Sequence, residues 1–363
     1  MGIQDKIGRI EEELKTTQKH KGTEYHIGLL KARLVRYKRE VEVAASKGGS
    51  KAGFDVRKSG DSTVAIIGLP SVGKSTLLTK ITHARSKTAA YDFTTVTIIP
   101  GILEYKGAKI QILDLPGIIC GAAEGRGRGK EVLAVARSAD LVLIVLDVFQ
   151  PYQLDLIKHE LEGIGVRLDK HPPDITLMKR SRGGLTINST VKLTHLTEKM
   201  VQELLGVYGI HNGEILFRQD ATVDELIDFL AGNRIYSPSL VVLNKVDLVD
   251  KKYLNALKEK IGSFIPISAD SNLNIEAVKD AIYNNLEFIR IYTKPRFSEA
   301  DLKEPLIIRK GTAVSDVCNR LHRDMRKNFK YALIWGPSAK FDGQKVGLDH
   351  KLADGDVVFI ATK

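Results

Sequence analysis

The sequence predicts an α/β protein: a doubly wound, mainly parallel sheet with a small α/β insertion, an N-terminal helical hairpin and a C-terminal β-grasp module. Three observations predict it. The apolar, β-branched run Thr63–Ile67 stops at Gly68, and four residues then lead to Gly73-Lys74-Ser75 and the helical pattern of Thr76-Leu77-Leu78. Two further apolar runs, Leu141–Leu146 and Leu240–Leu243, read as buried strands of the same parallel sheet. Roughly 100 residues separate those two runs, where one βαβ crossover needs only about 30, so a separate small unit is inserted between them.

The 363 residues suffice for two or three domains with real cores. At 43% hydrophobic and 27% charged residues the composition is that of an ordinary soluble globular protein. No apolar run has the length of a membrane span, and the N-terminus alternates charge where a signal peptide would be apolar. With Cys120 and Cys318 as the only cysteines, neither a disulfide framework nor a zinc site is expected. A cytoplasmic location follows by elimination. The net charge of +11 favours a polyanionic partner such as RNA, or serves solubility alone.

Residues 1–50 are expected to form the helical hairpin and its exit. Ile3, Ile7, Ile10 and Leu14 recur at helical spacing, Gly22 interrupts, and Leu30, Leu34, Tyr37 and Val41 resume the pattern. Lys31, Arg33, Arg36, Lys38 and Arg39 gather on the second helix, either as an RNA-facing stripe or as a charged face buttressing the next domain. Ser46–Gly53 reads as a flexible linker.

The nucleotide domain is expected over residues 60–290. Its G-x-x-x-x-G-K-[ST] stretch sits between strand and helix as a phosphate loop must. Gly68, Pro70, Ser71, Val72, Gly73, Lys74, Ser75 and Thr76 supply the cradle of backbone N–H groups, aided by the helix N-terminus. Lys74 reaches the β- and γ-phosphates and Ser75 holds Mg²⁺. Thr95, with Thr94 beside it, is positioned to ligate Mg²⁺ only in the triphosphate state and so to order a switch loop. The strand Lys109–Leu113 ends in Asp114-Leu115-Pro116-Gly117, where Asp114 holds Mg²⁺ through water and the Gly117 N–H meets the γ-phosphate. Lys74, Thr95 and Gly117 are thus the expected catalytic set. A glycine-rich run to Lys130 reads as a second switch, and its Arg126 and Arg128 are catalytic candidates or plain surface charges.

Base choice is written at the end of a later strand, in Asn244-Lys245-Val246-Asp247. Asp247 accepts from N1–H and N2–H₂ of guanine, groups adenine lacks, and a site built for those bonds rejects adenine. Asn244 braces the phosphate loop, Lys245 lays its stem over the ring, and Ser268-Ala269 offers a backbone N–H to guanine O6. The expected ligand is GTP or GDP with Mg²⁺.

The inserted unit is expected over residues 165–233, with amphipathic segments at His195–Leu205 and Val223–Ala231 and a basic turn, Lys179–Gly184, as an RNA-contact candidate or a solvated turn. Glu276–Arg290 reads as the last helix of the nucleotide domain. Residues 291–363 read as the β-grasp module, with strands at Pro305–Ile308, Tyr331–Trp335 and Asp356–Ala361 around one helix whose apolar face includes Val314, Val317, Cys318, Leu321 and Met325. Cys318 reads as core.

These stretches together resemble the developmentally regulated (DRG) family of GTP-binding proteins, relatives of the Obg GTPases, over nearly the whole chain. The matches are Gly68–Thr76, Tyr91–Val96, Asp114–Lys130, Asn244–Asp247 and the inserted Gly183–Thr190. The resemblance implies a hairpin, a GTPase domain carrying an inserted domain, and a C-terminal TGS domain. It also implies ribosome or RNA association and a role in translation; eukaryotic members pair with stabilising partner proteins, which leaves a partner of the DRG-binding type open for this chain. A monomer is expected, with no membrane contact.

Ras-like enzymes orient the attacking water with a glutamine directly after D-x-x-G. Ile118 stands there, so intrinsic turnover is expected to be slow, raised by K⁺ or a ribosomal partner. Related enzymes hold K⁺ with a phosphate-loop asparagine; Ser71 takes that place here and leaves K⁺ dependence open. Two other function classes stand beside the switch: a metabolic phosphate-loop kinase or ATPase, which Asp247 argues against, and an RNA-binding ribosome-assembly scaffold with a structural nucleotide.

Overall fold

A computed structural model describes residues 2–18, 20, 23–47, 60–82, 99–115, 135–136, 138–295, 302 and 304–362. Thr94, Thr95, Gly117, Ile118, Arg126 and Arg128, and most of the expected linker, lie outside the described residues. The chain divides into two compact units, Met1–Gly53 with Gly165–Tyr236, and Phe54–Ile164 with Ser237–Lys363.

In the first unit, helices α1 (Ile3–Thr16) and α2 (Glu24–Lys47) form a hairpin joined by Glu13–His26 and Glu11–Lys38 pairs, each at 2.8 Å. The insert supplies a three-stranded sheet in the order β6 (Ile175–Lys179), β8 (Gly213–Phe217), β7 (Leu185–Ser189). Its helices α5 (Glu198–Val207) and α6 (Val223–Ala231) begin at Thr197 and Thr222, whose hydroxyls accept first-turn N–H groups. Val201, Leu205, Ile215, Phe217 and Leu226 make its core, and Ala32 of α2 is buried within that core. Between the stripe readings the structure favours the buttress. Lys31 pairs with Asp224 at 2.8 Å, Arg39 donates to the Ala231 carbonyl at 2.6 Å, and Arg36 donates to the Val207 carbonyl. Those carbonyls are the orphan acceptors at the C-termini of α6 and α5, where positive charge is favoured.

The second unit holds a six-stranded sheet in the order β11 (Ile265–Pro266), β10 (Ser239–Asn244), β4 (Leu141–Asp147), β1 (Ser62–Ile67), β3 (Ala108–Asp114), β2 (Ile99–Tyr105). All neighbours run parallel except the β2–β3 edge hairpin. β1 and β4 are buried at every position, which explains why they read as unbroken apolar runs. Helix α3 (Lys74–Ile81) follows β1 and buries Leu77, Leu78 and Ile81.

One expected helix is shorter than its sequence pattern. Helix α8 (Ile275–Asn285) stops short, and Phe288–Thr293 is a strand, β12, of the C-terminal sheet. Glu287 takes a left-handed conformation at φ 50°, which cannot continue a helix, and beyond it Ile289 and Ile291 alternate into the C-terminal core. The C-terminal sheet runs β13 (Leu306–Arg309), β12, β16 (Val357–Thr362), β14 (Phe329–Trp335), β15 (Gln344–Val346). Helix α9 (Val314–Leu321) lays Val317 and fully buried Cys318 on one face of it, and a short α10 (Arg323–Lys327) follows. Ile307 and Phe288 join the apolar core of the nucleotide sheet, and Arg309 pairs with Asp140 at 2.6 Å.

Candidate nucleotide site

The carboxyl ends of β1, β3, β4 and β10 converge, as open α/β sheets require of a ligand crevice. Between β1 and α3 the chain turns through Gly68–Gly73. A Cβ on Gly68 would stand 2.5 Å from the Val145 carbonyl, and one on Gly73 would stand 2.2 Å from Asn244 Nδ2. Both positions admit only glycine, and Gly73 also holds φ 93°. Ser71 too is left-handed, at φ 65°. Pro70 is exposed, Val72 is buried, and Thr76 lies in the first turn of α3, whose leading N–H groups have no intrahelical partner.

Lys74 Nζ donates to the Leu69 carbonyl at 2.9 Å. Burial lowers its pKa, against the opposing pull of Asp114. Ser75 Oγ donates to Asp114 Oδ2 at 2.7 Å, while Asp114 Oδ1 is buried without a hydrogen-bond partner. Burial raises the Asp114 pKa more than the Ser75 hydroxyl and the Lys74 charge lower it. A buried ammonium, a hydroxyl and a carboxylate with one idle oxygen form a donor set suited to a polyphosphate and a hard divalent cation. The residues therefore fit Mg²⁺.

Asn244 is the brace. Its Nδ2 donates to the Val72 carbonyl at 2.9 Å and its Oδ1 accepts the Ala269 N–H at 3.0 Å. One buried side chain thus ties the phosphate loop to β10 and to the loop after β11. Lys245, at φ 65°, reaches back to Ser71 O at 3.2 Å and Asp147 Oδ2 at 2.6 Å. Asp247 stands exposed on a single turn of 3-10 helix, Val246–Leu248.

Two features depart from the sequence reading. Of the two backbone N–H groups expected to offer a bond to guanine O6, that of Ala269 is donated to Asn244 Oδ1 and that of Ser268 to the Leu273 carbonyl at 3.2 Å. The first bond ties the loop to the end of β10 and the second closes the loop on itself, which a linear motif does not show. Asp147, the partner of Lys245, is not among the expected site residues; its signal is an acid closing a buried strand beside the site, as Asp114 closes β3.

A phosphate loop, an acid at the end of the adjacent strand and an Asn-Lys-x-Asp brace define a guanine-nucleotide-binding protein of the phosphate-loop class. Residues 63–179 match a family model described as a 50S ribosome-binding GTPase, 182–288 match the C-terminal region of that domain, and 289–362 match the TGS domain. A GTP-binding protein of Methanocaldococcus jannaschii is 51% identical over 367 residues, spanning 100% of this chain and 94% of that one. Human developmentally-regulated GTP-binding protein 2 is 48% identical over 365 residues, and GTP-binding protein 1 of Schizosaccharomyces pombe 49% over 365, each spanning 100% of both chains. The chain belongs to the DRG family of GTP-binding proteins, and it is a GTPase with a C-terminal TGS domain.

Proposed function

We propose that this protein is a slow, Mg²⁺-dependent GTPase switch that acts on the ribosome or on RNA in translation. The observation that carries the reading is Asn244, which ties the phosphate loop to β10 and to the loop after β11 through a single buried amide. Asp247 selects guanine, and Lys245 and Asn244 hold the loop that meets the phosphates. Lys74 leaves the Leu69 carbonyl for the β- and γ-phosphates, trading one acceptor for a stronger charged one. Ser75, Asp114 and Thr95 hold Mg²⁺, which would neutralise charge developing on the phosphate oxygens. Gly117 meets the γ-phosphate, and Ile118, unable to orient water, leaves intrinsic hydrolysis slow. A monovalent cation such as K⁺, or a ribosomal group, would supply the missing stabilisation. The description of the matching GTPase model and the net charge of +11 support a ribosomal partner. The protein is read as a cytoplasmic monomer; among the described residues no helix is long and apolar enough to cross a membrane.

Co-sedimentation with ribosomes tests the reading, comparing a non-hydrolysable GTP analogue with GDP across a salt series. Retention only with the analogue, beyond the salt that screens surface charge, is expected. Binding that ignores the nucleotide and vanishes with salt would reduce the basic charge to non-specific attraction and overturn the reading. Turnover equal in K⁺ and Na⁺, and unmoved by ribosomes, would sink the catalytic half.

A further inference from the structure

The C-terminal sheet has two faces, and α9 covers only one of them. Ala332 and Ile334 of β14 and Val358 of β16 point into that covered core. The strand period of two sends their neighbours to the other side. On β14 these are Tyr331, Leu333 and Trp335; opposite them on β16 lie Ala361, Phe359 and Val357. All six are half-buried among the described residues. Lys345 stands beside Leu333 on β15, and its ammonium lies 4.8 Å from the Tyr331 ring centre. Lys294, just beyond β12, places its ammonium 4.8 Å from the Trp335 ring centre. None of these strand positions carries an acid.

We propose that this face binds a single-stranded RNA segment by stacking unpaired bases on Tyr331, Trp335 and Phe359. Tyr331 and Trp335 are four residues apart on one strand, roughly 13 Å at about 3.3 Å per residue, and Phe359 lies on the neighbouring strand opposite the residue midway between them. That spread suits two or three bases on a sheet. The lysines now resting on two of the rings turn outward to phosphates, and bases take the ring faces they vacate. Base stacking on an aromatic ring outweighs an exposed ammonium–ring contact, so the exchange is favourable. An apolar protein surface fits less well, because it would bury both ammonium groups without partners. A duplex fits poorly as well, since its bases are already stacked. The proposal rests on the reading of an RNA-linked protein and names where the RNA would lie.

Trp335 is the only tryptophan in the chain, so its emission reports this face directly. The full-length protein with GDP is titrated with a short oligouridine and with duplex RNA of the same length. Saturable quenching by the single strand, and none by the duplex, is expected. With labelled oligouridine, Tyr331→Thr and Trp335→Thr should each weaken binding roughly tenfold. Lys294→Gln with Lys345→Gln should flatten the salt dependence by about 1.4 in log–log slope, for two phosphates at about 0.7 each. Unchanged GTP affinity and circular dichroism identify folded variants. Absent quenching, equal response to duplex, or wild-type affinity in the ring variants would overturn the proposal. Loss of ribosome sedimentation in the ring variants, with no oligouridine affinity in the parent, would assign the face to a protein and also overturn it. Nucleotide-indifferent sedimentation of the parent, by contrast, sinks the switch reading while the quenching result stands.

Discussion

Asn244 shows how much one side chain holds in this site. Replacing it with alanine leaves the Val72 carbonyl and the Ala269 N–H buried and unpaired. Asn244→Ala should cost about 1–3 kcal/mol in urea unfolding and weaken GTP binding at the same time. Unchanged nucleotide affinity in a folded variant would show that the brace does not set the loop. Asp114 gives a second residue-scale expectation, with a sign that depends on pH. Burial holds its pKa above the ordinary 3.8, so the folded chain keeps this proton more readily than the unfolded chain. Its contribution to stability is greatest below 3.8 and declines as pH rises through the raised pKa. Asp114→Asn should therefore raise the Tm of the nucleotide-free protein near neutral pH, with the gain vanishing as the pH falls towards 3.8. It should also abolish the Mg²⁺-dependent part of GTP binding. A Tm lowered at neutral pH would mean that the contacts to Ser75 and Lys74 outweigh burial. The trade of stability for function is common where a site must hold a charge for its ligand.

At the scale of elements, α2 depends on the insert and the insert on α2. Ala32 is fully buried in the insert core, and a Cβ on Gly28 would stand 2.8 Å from Val223 Cγ1. Arg39 closes the C-terminus of α6. Arg39→Ala should cost about 1–3 kcal/mol of that unit's stability, the value of a charge-assisted bond to a carbonyl. Ala32→Asp should detach the hairpin, exposing apolar helix faces and making the protein prone to aggregate, as light scattering would report. A monodisperse, cooperatively melting Ala32→Asp chain would contradict the packing. The basic stripe on α2 shows where a charge pattern alone misleads. Lysines and arginines at helical spacing look the same whether they face phosphates or the carbonyl ends of neighbouring helices.

For the molecule as a whole, nucleotide binding should reach the C-terminal sheet through shared core. Ile307 of β13 is buried in the core of the nucleotide sheet, and Arg309 and Arg320 pair with Asp140 and Asp61 at the amino ends of its strands. GTP at a hundred times its Kd should stabilise this unit by about 2.7 kcal/mol. Calorimetry of the full chain should show the transition that contains Trp335 moving with the nucleotide site, followed by tryptophan emission during the melt. Ile307→Ala should cost about 2–5 kcal/mol and separate the two transitions. A Trp335 transition indifferent to GTP in the parent would mean that the sheets melt independently.

The sequence by itself determined the nucleotide chemistry and the order of elements. Strand, glycine turn, lysine and helix are neighbours in the chain, so Gly68–Thr76 carries its own geometry, and buried parallel strands announce themselves as unbroken apolar runs. The strand β12 is hidden in the sequence, because only Leu286 and the left-handed Glu287 separate Phe288–Thr293 from the preceding helix. Tertiary structure alone decided the rest: that Asn244 bonds to both Val72 and Ala269, that Lys245 finds Asp147, that the hairpin belongs with the insert, and that rings on β14 and β16 share one open face. Each joins residues far apart in the chain. Local spacing constrains dihedral angles and periodicity, whereas the partner of a buried amide or an exposed ring is fixed only when distant strands come into register.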